Sequence, residues 1–408
     1  MKSRNSWRPG RLLGYAAVVA AVVASLWWFW APEPTGPSIS APHGTGADSL
    51  TSGSSPDPGS AGNENTLTTG PAAAASRQVQ LNLWQQRYDR AAQVYASYRD
   101  ATRYPPHSRP LVEHPDQMQP FAPIIEVSPL RDAKGQPAGD LLIRTMQDRV
   151  FLAGAESTGL YLEARDRSGR VVPMSVRASV QRLSDARPGP SVRSALAFSD
   201  DGSGADQAAG DGRHSALLAP AVQGFAGQAG TLRVVAEVSA GGVEGTAAFD
   251  VVYEPQSPGA WTGVREAMED GNLVFYLRAR LNVGGRYVAS ARVFDSRGEA
   301  VALLTFNDEL PRGNAEFRLS LAGVLVQDMR PAFPLRLTDV EGFLLKPDTF
   351  PDRAMMPRQE GGVHVSRSYP VDAFSTNEWQ SEERERHLAE FGRDVERARQ
   401  AVDRLRPR

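Results

Sequence analysis

The chain has no cysteine. That excludes disulfides, a thiol nucleophile, a thiolate zinc site and a lipid-modified cysteine. Lysine is almost as scarce. It stands only at positions 2, 134 and 346, so arginine supplies 42 of the 45 basic residues. Neither sign of charge dominates, since 47 acidic residues offset those 45. No concentrated basic field is left for nucleic acid, and no nucleic-acid partner is expected. Only six histidines occur, at 43, 107, 114, 214, 364 and 387. There is no G-x-S-x-G elbow, no H-E-x-x-H pair, no phosphate-cradling glycine loop and no dinucleotide fingerprint. The chain therefore reads as a non-enzyme.

What the sequence does contain is uneven along its 408 residues, a length that suggests two or three units. Residues 12–30, LLGYAAVVAAVVASLWWFW, carry no charge and are long enough to cross the roughly 30 Å hydrocarbon layer as a helix. Lys2, Arg4, Arg8 and Arg11 precede them, which keeps the stub at 1–11 in the cytoplasm. Trp27, Trp28, Phe29 and Trp30 cluster at the far end, where aromatic rings favour the headgroup region. Those bulky residues occupy the place where signal cleavage needs small ones, so the segment reads as an uncleaved signal-anchor rather than a signal peptide. The expectation is a single-pass inner-membrane protein whose bulk is periplasmic. Residues 31–76 are built mainly of Pro, Gly, Ser, Thr and Ala and cannot bury enough surface to offset chain entropy, so they read as a disordered linker.

A helix is expected from about 77 to 102, because Leu81, Trp84, Tyr88, Ala91, Tyr95 and Tyr98 recur at intervals of 3 and 4. The following stretch to 120 is interrupted by Pro105, Pro106, Pro110 and Pro115, too many for a helix or a central strand, and reads as an extended arm. From 121 to 258 and again from 259 to 376, short alternating strands are separated by turn residues. With no amphipathic helices between them, the strands point to a mainly β fold made of two tandem immunoglobulin-like antiparallel β-sandwiches. Each contains a D-x-x-G hairpin, at Asp166–Gly169 and Asp295–Gly298. In the second unit one strand is expected at 316–326.

A charged helix closes the chain between 377 and 408. Leu388, Phe391, Val395, Ala398, Val402 and Leu405 fall at spacings of 3 and 4 over nearly three heptads. The plain reading of the two amphipathic helices is that they pack within the chain, on a sandwich or on each other. The sharper one makes Trp84, Tyr88, Tyr95, Leu388, Phe391 and Val395 a docking surface for an envelope protein or for a second copy.

The stretch 198–220 holds the only chemistry that stands out. Asp200, Asp201, Asp206 and Asp211 lie among Gly202, Gly204, Gly210 and Gly212. Such a loop can curl around calcium, which takes six to eight oxygens on a flexible backbone, although this is not the EF-hand spacing. The plainer reading is a long hairpin whose Asp side chains satisfy their own backbone. His214, beside the loop, is the histidine best placed for chemistry.

The same residues carry a resemblance. Asp200-Asp201-Gly202, Ala205-Asp206 and Ala209-Gly210-Asp211-Gly212, followed by an apolar strand, resemble a recurring loop of bacterial exported β-sandwich proteins of the choice-of-anchor type. Residues 313–326 and 333–340 are similar to the closing strand pair of those proteins. Where they usually carry a Tyr, Arg213-His214 stands here, and Asp328 to Ala332 replaces their Gly-rich turn. The resemblance covers about 250 residues. It implies an exported surface-type β protein with calcium loops and no catalytic activity.

The reading overall is a membrane-anchored periplasmic binding or scaffold protein of the cell envelope. A calcium-stabilised adhesion or polysaccharide-binding module is the first alternative, and a carboxylate-dependent hydrolase the second.

Overall fold

The computed structural model describes residues 71–183 and 193–406. The expected membrane span at 12–30 and nearly all of the linker lie outside the described residues. Among the described residues no helix is long and apolar enough to cross a membrane.

Helix α1, Pro71–Ala101, leads into the arm. The first β region follows as β2 (Ile124–Arg131), β3 (Pro137–Gln147), β4 (Phe151–Ala153), β5 (Thr158–Arg165), β6 (Met174–Arg182), β7 (Arg193–Leu196), β8 (Arg213–Leu218), β9 (Gly230–Ala240) and β10 (Val243–Glu254); β1 (Ser108–Pro110) lies in the arm before them. These nine strands form one sheet in the order β7-β6-β9-β10-β2-β3-β5-β8, with β4 running parallel to the end of β10. An isolated antiparallel bridge, Ser199↔Ser215, joins the chain just past β7 to β8, so the two ends of the sheet meet. Alternation does what period-2 patterning predicts. In β9, Leu232, Val234, Ala236, Val238 and Ala240 are buried, and they meet Leu160, Leu162, Val180 and Val251 in one core. Gly241 and Gly242, both at positive φ, make the tight β9–β10 turn that matches strand twist.

The D-x-x-G signal is one turn used three times. Asp132, Asp166 and Asp295 each accept backbone N–H bonds from the residues two and four positions on, and Gly135, Gly169 and Gly298 supply the positive φ. At Asp166 the expected hairpin does not continue. After the bridge Arg165↔Val171, β6 leaves to pair with β9, because both edges of β5 are taken by β3 and β8 and Pro173 has no N–H to offer. At Asp295 the turn does close a full hairpin.

The second β region comprises β11 (Gly259–Glu269), β12 (Asn272–Leu281), β13 (Gly285–Phe294), β14 (Ala300–Leu310), β15 (Gly313–Leu321), β16 (Arg336–Leu345), β17 (Arg353–Met355) and β18 (Gln359–Val365). Sheet β11-β12-β15 shares a core with sheet β1-β14-β13-β16-β17, in which β18 also pairs with β16. Phe317 lies at its centre, with Trp261, Tyr287 and Phe306 edge-on at 5.0, 5.8 and 5.0 Å. The single strand expected at 316–326 is corrected here. Strand β15 ends at Leu321, and Gly323–Met329 is a short helix, α2, whose Gly323, Val324, Leu325 and Val326 are all buried. A Cβ at Gly323 would lie 2.2 Å from the Gly271 carbonyl oxygen, so only glycine lets the chain turn there. An apolar run buried on every side has no period to distinguish strand from helix.

The arm is laid across this second core. Strand β1 pairs with β14 at the sheet edge, where prolines are tolerated, and Leu111 is fully buried. Helix α3, Glu382–Leu405, begins at Ser381, whose hydroxyl accepts the Arg384 N–H at 3.1 Å, and carries Glu382, Glu383 and Glu385 in its first turn.

Candidate functional site

Two places carry the residues singled out above. The first is the pair formed by α1 and α3, which pack against each other. The Tyr98 ring meets Phe391 and His387 edge-on at 5.3 and 5.6 Å. Gly392 faces α1, where a Cβ would make only ordinary contact with the Tyr95 ring, at 3.8 Å. Ala398, Ala401 and Val402 are buried, while Trp84, Tyr88, Tyr95, Leu388, Phe391 and Val395 are half-buried in the pair. Within one chain, then, the two apolar stripes face one another. On the opposite side of α1, Val79, Leu83 and Val94 stay exposed.

A polar clamp fixes this pair to the second β region. Arg103 donates to both oxygens of Asp328 at 2.7 and 3.0 Å and to Glu378. The Tyr104 hydroxyl reaches Asp328 at 2.9 Å. Arg384, only 4% exposed, donates to Glu378 and to Thr102 Oγ1. The Arg103 guanidinium is the main reason the Asp328 carboxyl sits below its ordinary range. Nothing in the local sequence marks this cluster, because Arg103 lies 225 residues from Asp328 and 275 from Glu378.

The second place is the acidic loop between β7 and β8. The structure brings Asp200, Asp206 and Asp211 together: one carboxylate oxygen from each lies within 4.8 Å of the other two. Asp200 is caged by backbone, with the N–H groups of Gly210 and Asp211 on Oδ1 (2.8 and 3.2 Å) and that of Gly212 on Oδ2 (2.9 Å). Asp206 accepts from Gly202 N–H at 2.6 Å, and Asp211 from Arg213 N–H at 2.8 Å. Asp201 is not in the group. Its carboxylate turns to the Ser203 hydroxyl and N–H and to the Ser199 hydroxyl, and the Ser203 hydroxyl above all holds its pKa down. Gly212, at φ +82°, is needed twice over, because a Cβ there would also lie 2.4 Å from Val171 Cγ1. His214 is half-buried on β8, opposite Leu162.

A third cluster escaped the sequence reading. The buried Glu266 carboxylate takes hydrogen bonds from the Tyr369 hydroxyl (2.9 Å) and the Arg367 N–H (2.8 Å), and pairs with His364 Nε2 at 3.0 Å. These bonds tie β11 to β18 and to the chain beyond it, so the group serves the packing.

Among known proteins, no family model and no curated protein matches the chain. The choice-of-anchor-type resemblance accordingly rests on the loop and strand motifs alone. Two solved structures are similar in build. One is a DUF4785 family protein from Legionella pneumophila, 11% identical with a TM-score of 0.37, covering 55% of this chain; the chain spans 57% of that protein. The other is the FN1–FN3 domains of chicken CNTN1, 8% identical with a TM-score of 0.21, covering 60% of this chain and 91% of that one.

Proposed function

We propose that this is a single-pass, membrane-anchored periplasmic binding or scaffold protein of the cell envelope, which presents two immunoglobulin-like β regions. The supporting observation is the clamped helix pair. Helix α1 begins at Pro71, six residues inside the stretch expected as linker, and is held by α3 along one face and by the Arg103–Asp328 bond pair at its end. The uncharged run at 12–30 with its basic flank supplies the anchor and its orientation. The Asp201, Glu266, Asp328 and Glu378 carboxylates are engaged in turns and ion pairs, which fits binding rather than turnover.

The test is a topology assay. A reporter active only in the periplasm, fused after Arg408, is expected to be active and to sediment with membranes. Deleting residues 12–30 is expected to abolish both. Activity of a cytoplasm-only reporter at the same position, or a full-length chain free of membranes, would refute the reading.

A further inference from the structure

We infer that Asp200, Asp206 and Asp211 form a calcium site at the seam where the nine-stranded sheet closes. Clustered carboxylates alone would not carry this, since loops of this composition commonly bond their own backbone. What carries it is Asp206. This side chain is only 6% exposed, its Oδ2 is held by the Gly202 N–H, and its buried Oδ1 has no hydrogen-bond partner. A buried carboxylate oxygen left unpaired costs its full desolvation. A cation among the three carboxylates removes that cost.

The geometry suits the ion. Calcium–oxygen distances of about 2.3–2.6 Å place oxygens on opposite sides of the ion about 4.6–5.2 Å apart, and the three carboxylates meet within 4.8 Å. The backbone N–H bonds leave Asp200 about one free lone pair, on Oδ2, and Asp211 about three, and they orient both carboxylates. The charge also balances. Three carboxylates, less the Arg213 guanidinium that approaches Asp211 at 3.9 Å, leave two negative charges for a divalent ion. Asp211 is exposed and Asp200 half-buried, so water can complete the coordination. Magnesium prefers rigid octahedral sites with one or two carboxylates, which favours calcium here.

The position gives the site its consequence. Asp200 immediately follows Ser199, and Asp211 lies four residues before Ser215, the two residues whose bridge joins the ends of the sheet. A bound ion ties both sides of that seam, so binding and the stability of the first β region rise together.

The experiment is calcium titration of the full chain in detergent, read by isothermal titration and by thermal unfolding in calcium, in magnesium and in chelator. Three carboxylates on an exposed loop place Kd on the order of 0.1–1 mM. About 10 mM calcium should then raise the unfolding midpoint by about 3–10 °C over chelator. Asp206→Asn is expected to weaken calcium binding about 100-fold, and Asp201→Asn to leave it within about threefold. Asp211→Asn, at an exposed position, repeats the loss if Asp206→Asn fails to fold. No calcium binding by the native chain would overturn the site. So would undiminished binding by the folded Asp206→Asn or Asp211→Asn variant. Displacement of calcium by equimolar magnesium would overturn the choice of ion.

Discussion

Arg292 offers the most demanding check on how the arm is held. The side chain is fully buried on β13 and makes five hydrogen bonds. It donates to the Gln117 carbonyl (3.2 Å) and amide oxygen, to Ser290 Oγ (3.2 Å), to the Asp339 carbonyl (2.9 Å) and to Glu341 Oε1 (2.9 Å). The Asp339 carbonyl needs this donor. The β13–β16 register shifts beside it and Asp339 adopts φ +51°, so the regular ladder is broken there. Replacing Arg292 with Ala leaves two backbone carbonyls, of Gln117 and Asp339, without this donor. At about 1–3 kcal/mol for each stranded group, and little more for Glu341, which keeps a quarter of its surface in water, the loss is about 4 kcal/mol. Urea unfolding should show a fall of that size with unchanged m-value, and a midpoint about 8–16 °C lower on heating. Because Gln117 belongs to the arm, hydrogen exchange at 108–117 should accelerate as well. Arg292→Lys, which keeps the charge but not the fork of donors, should fall between. A loss below about 1 kcal/mol, or a full loss with the arm's exchange unchanged, would refute the assignment of the arm's anchorage to this residue.

Two further outcomes are expected. Burial opposes ionisation of Asp295, but the N–H groups of Ala332, Glu299 and Arg297, with the Arg297 guanidinium, outweigh it and bring the carboxyl down to about 2. A folded value below the unfolded one stabilises above the ordinary 3.8 and loses that stabilisation as pH falls through about 2; stability measured from pH 5 to 2 should therefore fall more steeply in the native protein than in Asp295→Asn, and parallel curves would count against it. Gly212→Ala should cost about 2–3 kcal/mol from its left-handed φ and the contact with Val171, and adding Val171→Ala should recover the contact share but not the φ share, as thermal melts of both variants would show.

The two helices were legible because their apolar residues repeat at 3 and 4 over six positions, a signal that neighbouring chain cannot mimic. The paired strands β9 and β10 were legible for the matching reason, with alternation on either side of a Gly-Gly turn. Strand β2 was not, because Ile124 to Pro129 are largely exposed in the structure and show no buried alternate face. Helix α2 was hidden by its own burial, which erases periodicity. In the acidic loop the residue types stood out, but only the fold separates Asp201, bonded to serines, from the three carboxylates that converge. The clamp at Arg103 and the group around Glu266 join residues far apart in the chain, and neither composition nor spacing announces such pairs. Partner choice among strands was equally silent, as β6 shows by leaving the Asp166 turn for β9.

The clamp between the helix pair and the second β region also decides where mechanical load goes. Tension applied to the chain ahead of Pro71 runs down α1 against its packing on α3, then meets Asp328 and Glu378 and the β1–β14 pairing. All of these belong to the second core or to the segment leaving it. Force arriving from that side is therefore taken up before Ile124, and it reaches the first core, with the acidic loop on its seam, through that core's own ties to the second, Arg149–Glu360 and Lys346–Glu254.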